Sequence, residues 1–129
     1  MADATASKSF MFYGKTEITP EVQRMLHPSE QVRFCVKTYR DVAAFTDKRM
    51  LIIDKQGITG KKVEYFSVPY KSIVTYAIET AGHLDFDAEI KLVLSGGVVL
   101  ELSFLKDKQQ QMESLLFEVY QLITEYVLG

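Results

Sequence analysis

Four basic residues are the first candidates for binding chemistry in this sequence. Lys48 and Arg49 lie beside a predicted turn, and Lys61 and Lys62 follow a second one further along the chain. Ammonium and guanidinium groups hold phosphate oxygens through charge-assisted hydrogen bonds, so these side chains could form an anion site for a phosphate or a lipid head group. Lysines scattered over strands and loops are also common on solvated surfaces, and that interpretation is favoured here.

The remaining reactive side chains do not suggest catalysis. Cys35 is the single cysteine and lies in an apolar run, where a thiol usually packs as a small hydrophobe. The sequence identifies no base that could activate it. His27 and His83 have no cysteine or carboxylate at metal-ligand spacing, and the acidic alternation over residues 85–89 matches no complete calcium loop. We therefore expect no catalytic residue, no metal and no cofactor.

Composition places the chain among ordinary single-domain proteins. It has 129 residues, of which 47% are hydrophobic and 25% charged, enough for one packed core. The net charge of −2 lacks the basic excess typical of nucleic-acid binders, so no nucleic-acid partner is expected. No apolar run approaches the roughly 20 residues that cross a bilayer, and the start carries no signal-peptide pattern. We expect a cytoplasmic protein.

The hydrophobic pattern predicts a short helix, a β-rich middle and a terminal helix. Thr19 and Pro20 can open the short helix, which Pro28 ends. From about residue 30 to residue 104 the apolar period is two, which predicts about seven strands in an antiparallel barrel or sandwich. A helix follows from Asp107, with Gln110 as its capping partner, and covers the barrel mouth. We assign residues 1–9 to a flexible tail and residues 10–129 to one domain.

Three sequence segments resemble the bacterial pleckstrin-homology-like domain family, formerly catalogued as a domain of unknown function. They read FTDKRMLIID at 45–54, GKKVEY at 60–65 and SVPYKSI at 67–73. The resemblance implies an antiparallel barrel of about seven strands capped by a C-terminal helix, a tendency to form homo-oligomers, and no known catalytic residues. Eukaryotic pleckstrin-homology domains often bind phosphoinositides through a dense basic cluster near the first hairpin. Here that region offers Lys37 and Arg40, with Asp41 beside them, so the resemblance does not carry inositide binding.

The terminal helix carries a second apolar strip away from its core face. At about 100° per residue, its members follow an i, i+3, i+7, i+11 spacing. They are Phe117, Tyr120, Thr124 and Leu128. Such a strip suggests a contact with another chain. The alternative is a cover within the same chain by the apolar cluster at residues 10–13, which includes Phe10 and Phe12; that cluster could also add a strand to a neighbour or touch a membrane. The sequence leaves these alternatives open.

These observations lead to one principal functional prediction. We expect a non-enzymatic interaction module that self-assembles through sheet edges and through the apolar side chains just described. Closed symmetric assemblies are the rule, so a ring or a two-fold dimer is expected. The alternative is a peripheral binder of anionic lipid or of another phosphate-bearing ligand through the four basic residues. A further protein partner and membrane contact are left open.

Overall fold

A computed structural model describes residues 7–80, 88–105 and 111–129 of the chain. The elements are β1 (Ser7–Thr16), α1 (Pro20–Met25), β2 (Val32–Thr38), β3 (Val42–Thr46), β4 (Arg49–Gln56), β5 (Lys62–Pro69), a 3₁₀ turn (Tyr70–Ser72), β6 (Ile73–Glu79), β7 (Ala88–Leu94), β8 (Val99–Phe104) and α2 (Gln111–Leu128). The strands form one curled sheet in the order β5-β4-β3-β2-β1-β8-β7-β6. The predicted mainly β fold with a C-terminal helix is confirmed, with eight strands instead of about seven.

The additional strand is β1, which joins the two halves of the sheet. Its first half runs parallel to β8, from Ser7 opposite Val99 to Phe12 opposite Phe104. Its second half pairs antiparallel with β2 after a bulge at Gly14, whose φ of +139° favours glycine. The sequence predicted a wholly antiparallel sheet. The parallel pairing of β1 with β8 shows that the sheet is mixed.

The predicted tail at residues 1–9 ends earlier than the sequence indicated. Ser7 to Ser9 lie within β1, whereas residues 1–6 are outside the described part of the chain. The three residues are small and polar, so their side chains give no strand signal. Their pairing with β8 places them in the sheet regardless of side-chain type.

The main core lies between the inner face of the sheet and α2. Phe12 is fully buried there and meets Phe45 and Phe104 edge to face, with ring centroids 5.8 and 5.3 Å away. The predicted core face of α2 is confirmed by its six buried residues, Met112, Leu115, Leu116, Val119, Leu122 and Ile123. The predicted capping pair at Asp107 and Gln110 lies outside the described residues.

A second, smaller core lies on the outer face of the sheet beneath α1. The Thr19 hydroxyl accepts a hydrogen bond from the Val22 N–H at 3.2 Å and caps this helix, as predicted. Val22 then packs against a buried patch that contains Cys35. Burial raises the pKa of the Cys35 thiol, which disfavours the nucleophilic thiolate.

The sheet curls into a half-barrel that leaves two strand edges open. β5 and β6 are the last strands on either side, and among the described residues neither pairs with the other. The 3₁₀ turn joins them along the chain. α2 is held beside this turn because Tyr126 stacks on Tyr70 at 5.0 Å and accepts a hydrogen bond from Arg33 at 2.8 Å.

Candidate interaction surfaces

Arg49, one of the four predicted anion-binding residues, is occupied inside the protein. Its guanidinium forms a bidentate ion pair with Glu30, with Nε–Oε2 and Nη2–Oε1 distances of 2.8 and 2.9 Å. It also donates to the Met25 carbonyl at 2.9 Å and to the Ser67 hydroxyl at 2.8 Å. These partners join α1 and the segment after it to β4 and β5. Arg49 is a structural clamp and not a free anion ligand.

Glu30 is the buried half of this pair, with only 2% of its side chain exposed. Burial alone would raise its carboxyl pKa. Hydrogen bonds from Arg49, from the Thr46 hydroxyl and from the His27 N–H, together with the positive charge of Arg49, outweigh burial and lower the pKa to about 2. The carboxylate therefore stays ionised over the physiological range.

The four basic residues do not form one site. Lys48 and Arg49 lie at the β3–β4 turn, whereas Lys61 and Lys62 lie at the β4–β5 turn, at opposite ends of β4. In the hairpin register, Arg49 faces Pro69 and Lys62 faces Gln56. Seven residue steps along a strand separate these ends by about 23 Å. The two pairs are close in sequence, which suggested a common site. The length of β4 that separates them became clear only from the hairpin register.

Lys61 and Lys62 instead approach other basic residues. The β2–β3 turn lies against the β4–β5 turn, since Lys55 pairs with Asp41 at 3.3 Å. The guanidinium of Arg40 also lies 3.3 Å from the point that a Cβ on Gly60 would occupy. The fold thus brings residues 37–41 and 55–62 to the same end of the sheet.

The predicted apolar strip on α2 is divided by the structure. Phe117 and Leu128 are 50% and 73% exposed. Tyr120 and Thr124 turn instead towards β6: the Tyr120 ring lies 5.5 Å from that of Tyr76, whose hydroxyl lies 2.9 Å from the Thr124 hydroxyl. Helical spacing alone placed all four on one side and could not show which of them meet a strand.

The two N-terminal aromatics predicted as interface residues pack against other residues of the same chain. Phe12 is fully buried, so its assignment to an interface is wrong. Phe10 is half-buried and stacks on Phe66 of β5, with ring centroids 6.4 Å apart. Residues 10–13 form part of β1, and they do not cover the exposed side of α2. The described part of the chain leaves Phe117 and Leu128 exposed.

A groove runs between α2 and β2 beside Phe117. Its volume is about 590 Å³, and its apolar wall comes from Phe34, Phe117 and Leu122. Ion pairs flank it: Lys15 with Glu118 at 2.8 Å, and Arg33 with Glu125 at 3.3 Å. Its charged rim is paired, so the groove offers apolar contact without a free charge from these four residues.

The described residues contain no cluster of side chains placed to bind a metal ion. Across residues 7–80, 88–105 and 111–129, no three His, Cys, Asp or Glu side chains are placed to hold a metal ion. His83 and residues 85–87 of the acidic alternation lie outside these ranges. Glu89 lies in β7, where burial and the nearby charges of Glu101 and Glu79 raise the pKa of its carboxyl. Within the described ranges, no helix has both the length and the apolar character needed to span a membrane.

Two exposed side chains were missed by sequence reasoning. Ile58 is fully exposed in the β4–β5 turn, and Tyr39 is 77% exposed in the β2–β3 turn. The glycines at 57 and 60 were the available signal for Ile58, because they bracket it with positive φ angles of 76° and 71°. No local signal could show that the two turns adjoin.

Known proteins with a similar sequence or structure share this architecture. The sequence model of the family described as "Bacterial PH domain" matches residues 5–127. Uncharacterized protein YjqA of Bacillus subtilis (strain 168) is 45% identical over 93 residues, 70% of this chain and 74% of YjqA. A DUF1696 family protein with a pleckstrin-homology domain, from Shewanella loihica PV-4, has a similar structure with a TM-score of 0.68 at 35% identity, covering 88% of this chain and 97% of that one. A pleckstrin homology domain from Shewanella amazonensis SB2B gives a TM-score of 0.62 at 42% identity, covering 84% of both chains.

Proposed function

The chain belongs to the bacterial PH domain family, and we propose that it is a non-enzymatic interaction module that self-assembles. The observation that carries the proposal is the open half-barrel, which ends in the unpaired edges of β5 and β6. An open edge presents a row of backbone donors and acceptors that another strand can complete. A second copy of the chain supplies such strands.

The β6 edge is the better suited of the two for pairing. It carries Val74, which is 62% exposed, and has no lysine or proline between Ile73 and Glu79. β5 is protected at both ends, since it begins with Lys62 and ends with Pro69. Lysine and proline on an edge disfavour strand addition. We therefore assign the primary contact to β6.

The exposed side chains of α2 add apolar area to that contact. Phe117 and Leu128 are eleven residues apart, which returns to within about 20° of the same direction and spans about 16 Å along the helix. The end of α2 lies near the start of β6, because Tyr126 stacks on Tyr70 in the turn that precedes this strand. A partner at β6 would therefore be in reach of Leu128.

The symmetry of the assembly depends on which edges meet. Pairing of β6 with β6 of a second copy is isologous and gives a two-fold dimer. Pairing of β6 with β5 of the next copy is heterologous and gives a ring if the rotation closes.

Sedimentation velocity on purified variants tests this function. We expect Phe117→Glu and Val74→Lys to shift the wild-type multimer towards the monomer, because each places a charge in the apolar contact. The matched control is Ile58→Glu, which also puts a carboxylate on an exposed apolar position but lies at the β4–β5 turn. Equal sedimentation of wild type and both interface variants would contradict the proposal, as would dissociation by the control alone.

The alternative function, anion binding through Lys48, Arg49, Lys61 and Lys62, has less support in that form. Arg49 is committed to Glu30, and Lys48 lies at the far end of β4 from the two remaining lysines. Of the four, Lys61 and Lys62 are neighbours of each other, and neither forms an ion pair with another described residue.

A further inference from the structure

α2 contacts the middle of β6, the strand to which the primary self-assembly contact is assigned. Within the described ranges β6 has one sheet neighbour, β7, and its other edge is open. The ring of Tyr76 lies 5.5 Å from the Tyr120 ring, and its hydroxyl forms a 2.9 Å hydrogen bond with the Thr124 hydroxyl. Tyr120 and Thr124 lie one helical turn apart on the same side of α2. The helix therefore holds a strand whose open edge is left for a partner.

The start of β6 is held as well. Ser72, in the 3₁₀ turn before the strand, accepts a hydrogen bond from the Ser95 N–H through its carbonyl at 2.8 Å. In the same turn, Tyr70 stacks on Tyr126 of α2, and its hydroxyl donates to the Thr46 carbonyl at 2.8 Å. These contacts determine where β6 begins.

The ladder between β6 and β7 is irregular just after this point. Its register shifts between Ile73 and Thr75. A bulge of this kind bends a strand and increases its twist. Because β6 is an edge strand, no second sheet neighbour corrects its direction beyond the irregularity. Tyr76 follows directly, so its contact with Thr124 lies where the direction of the remaining residues, 76–79, is determined.

We propose that the hydrogen bond between Tyr76 and Thr124, here called the hydroxyl pair, positions the β6 edge for pairing with a second copy of the chain. This inference rests on the proposed self-assembly. An added strand needs consecutive backbone donors and acceptors in a regular extended row. The hydroxyl pair limits the conformations of the edge before a partner arrives, so less conformational entropy is lost on pairing. Tyr76 and Thr124 are positioning residues and need not touch the partner.

The hydroxyl pair also links assembly to the docking of α2 on the sheet. Linkage is reciprocal, so a contact that favours pairing of the edge is itself favoured once the edge is paired. α2 thus acts on assembly in two ways: its exposed Phe117 and Leu128 add apolar area, and its half-buried Thr124 sets the geometry of β6.

Sedimentation velocity over a range of protein concentrations measures the effect on the full chain. Thr124→Val removes one hydroxyl and keeps the side-chain shape, and Tyr76→Phe removes the other hydroxyl of the same contact. Each should lower the association constant about fivefold, which corresponds to the loss of one neutral hydrogen bond. The double variant should assemble no more weakly than either single variant, because all three lack the same contact.

Two control variants separate positioning from general destabilisation. Thr124→Ser keeps the hydroxyl and should assemble like the wild type. Thr19→Ala removes the cap of α1, on the outer face of the sheet, and should leave the association constant unchanged. Equal association of Thr124→Val and wild type overturns the inference. A loss in Thr124→Ser or in Thr19→Ala as large as that in Thr124→Val also overturns it.

Hydrogen exchange on the monomer at low protein concentration gives a second readout. Thr124→Val should speed exchange of the β6 amides that bond to β7 and leave the amides of β3 unchanged. Equal exchange of β6 in Thr124→Val and wild type contradicts the positioning role. A wild-type multimer that Thr124→Val leaves intact overturns this inference and leaves self-assembly standing. A wild-type chain that is monomeric at every concentration overturns self-assembly, and the role of the hydroxyl pair with it.

Discussion

Replacing Glu30 with glutamine should destabilise the protein by about 3 kcal/mol at pH 7. The carboxyl pKa falls from the ordinary value of 4.5 to about 2 in the folded state. A depression of about 2.5 units corresponds to about 3 kcal/mol, at about 1.4 kcal/mol per unit. The side chain is almost fully buried, so solvent screening does not reduce this figure much. Glutamine keeps the shape and removes the charge, which leaves Arg49 without its ionised partner.

The loss should depend on pH in a defined direction. Because the folded pKa is depressed, the stabilisation is fully present above the unfolded pKa of 4.5 and disappears as pH falls through 2. The difference between wild type and Glu30→Gln should stay near 3 kcal/mol from pH 7 to about 5 and shrink to about 1.4 kcal/mol at pH 3. At pH 2 the difference between the two proteins should fall to about 0.4 kcal/mol.

Urea unfolding at several pH values measures this difference, and the control is Glu64→Gln. Glu64 pairs with Lys8 at 2.6 Å, but 38% of its side chain is exposed, so its removal should cost less than about 1 kcal/mol. A difference between Glu30→Gln and wild type that is small at pH 7, or constant from pH 7 to pH 3, would refute the reasoning. Either result would mean that the Arg49 clamp does not hold Glu30 ionised.

Three further changes test other parts of the fold. Thr19→Ala removes the cap on the Val22 N–H and should lower the free energy of unfolding by about 1 kcal/mol in urea titrations; no change would mean that α1 needs no cap. Phe12→Ala should lower it by about 3–5 kcal/mol, and a loss under about 1 kcal/mol would contradict its place at the centre of the core. Tyr76→Phe breaks the hydroxyl contact with Thr124 and should cost about 1 kcal/mol in thermal unfolding, whereas an unchanged midpoint would show that this contact does not hold α2.

Local sequence patterns correctly predicted those elements whose structure depends mainly on neighbouring residues. The core face of α2 follows from its apolar spacing, since that face meets the sheet interior along its length. The β7–β8 hairpin follows from Ser95-Gly96-Gly97, and both glycines adopt positive φ angles there, 87° and 88°. In these cases the local preference and the tertiary environment agree.

The failures of sequence reasoning come from contacts between distant residues. Arg49 was predicted to be a surface cation, because its partner Glu30 lies nineteen residues earlier in the sequence. Tyr120 reads as exposed until β6 brings Tyr76 beside it. Phe12 reads as an apolar anchor next to a tail, because its partners Phe45 and Phe104 are far along the chain. Side-chain type and spacing carry no record of such pairings, which depend on strand order.

In the candidate surfaces, too, some features follow from local spacing and others from contacts between distant residues. Exposure of Phe117 and Leu128 follows from helical spacing, since both point away from the core face. The β2–β3 and β4–β5 turns adjoin, which the contact between Arg40 and Gly60 reveals and the sequence does not. The open edges of β5 and β6 likewise depend on the complete strand order.

The most direct test of self-assembly is the molar mass of the purified wild-type chain. Light scattering coupled to size exclusion measures it from low to high micromolar concentration. We expect a multiple of the 14.7 kDa protomer that persists on dilution. A mass of one protomer at high micromolar concentration would contradict it and would leave the β6 edge and the α2 side chains without their proposed partner.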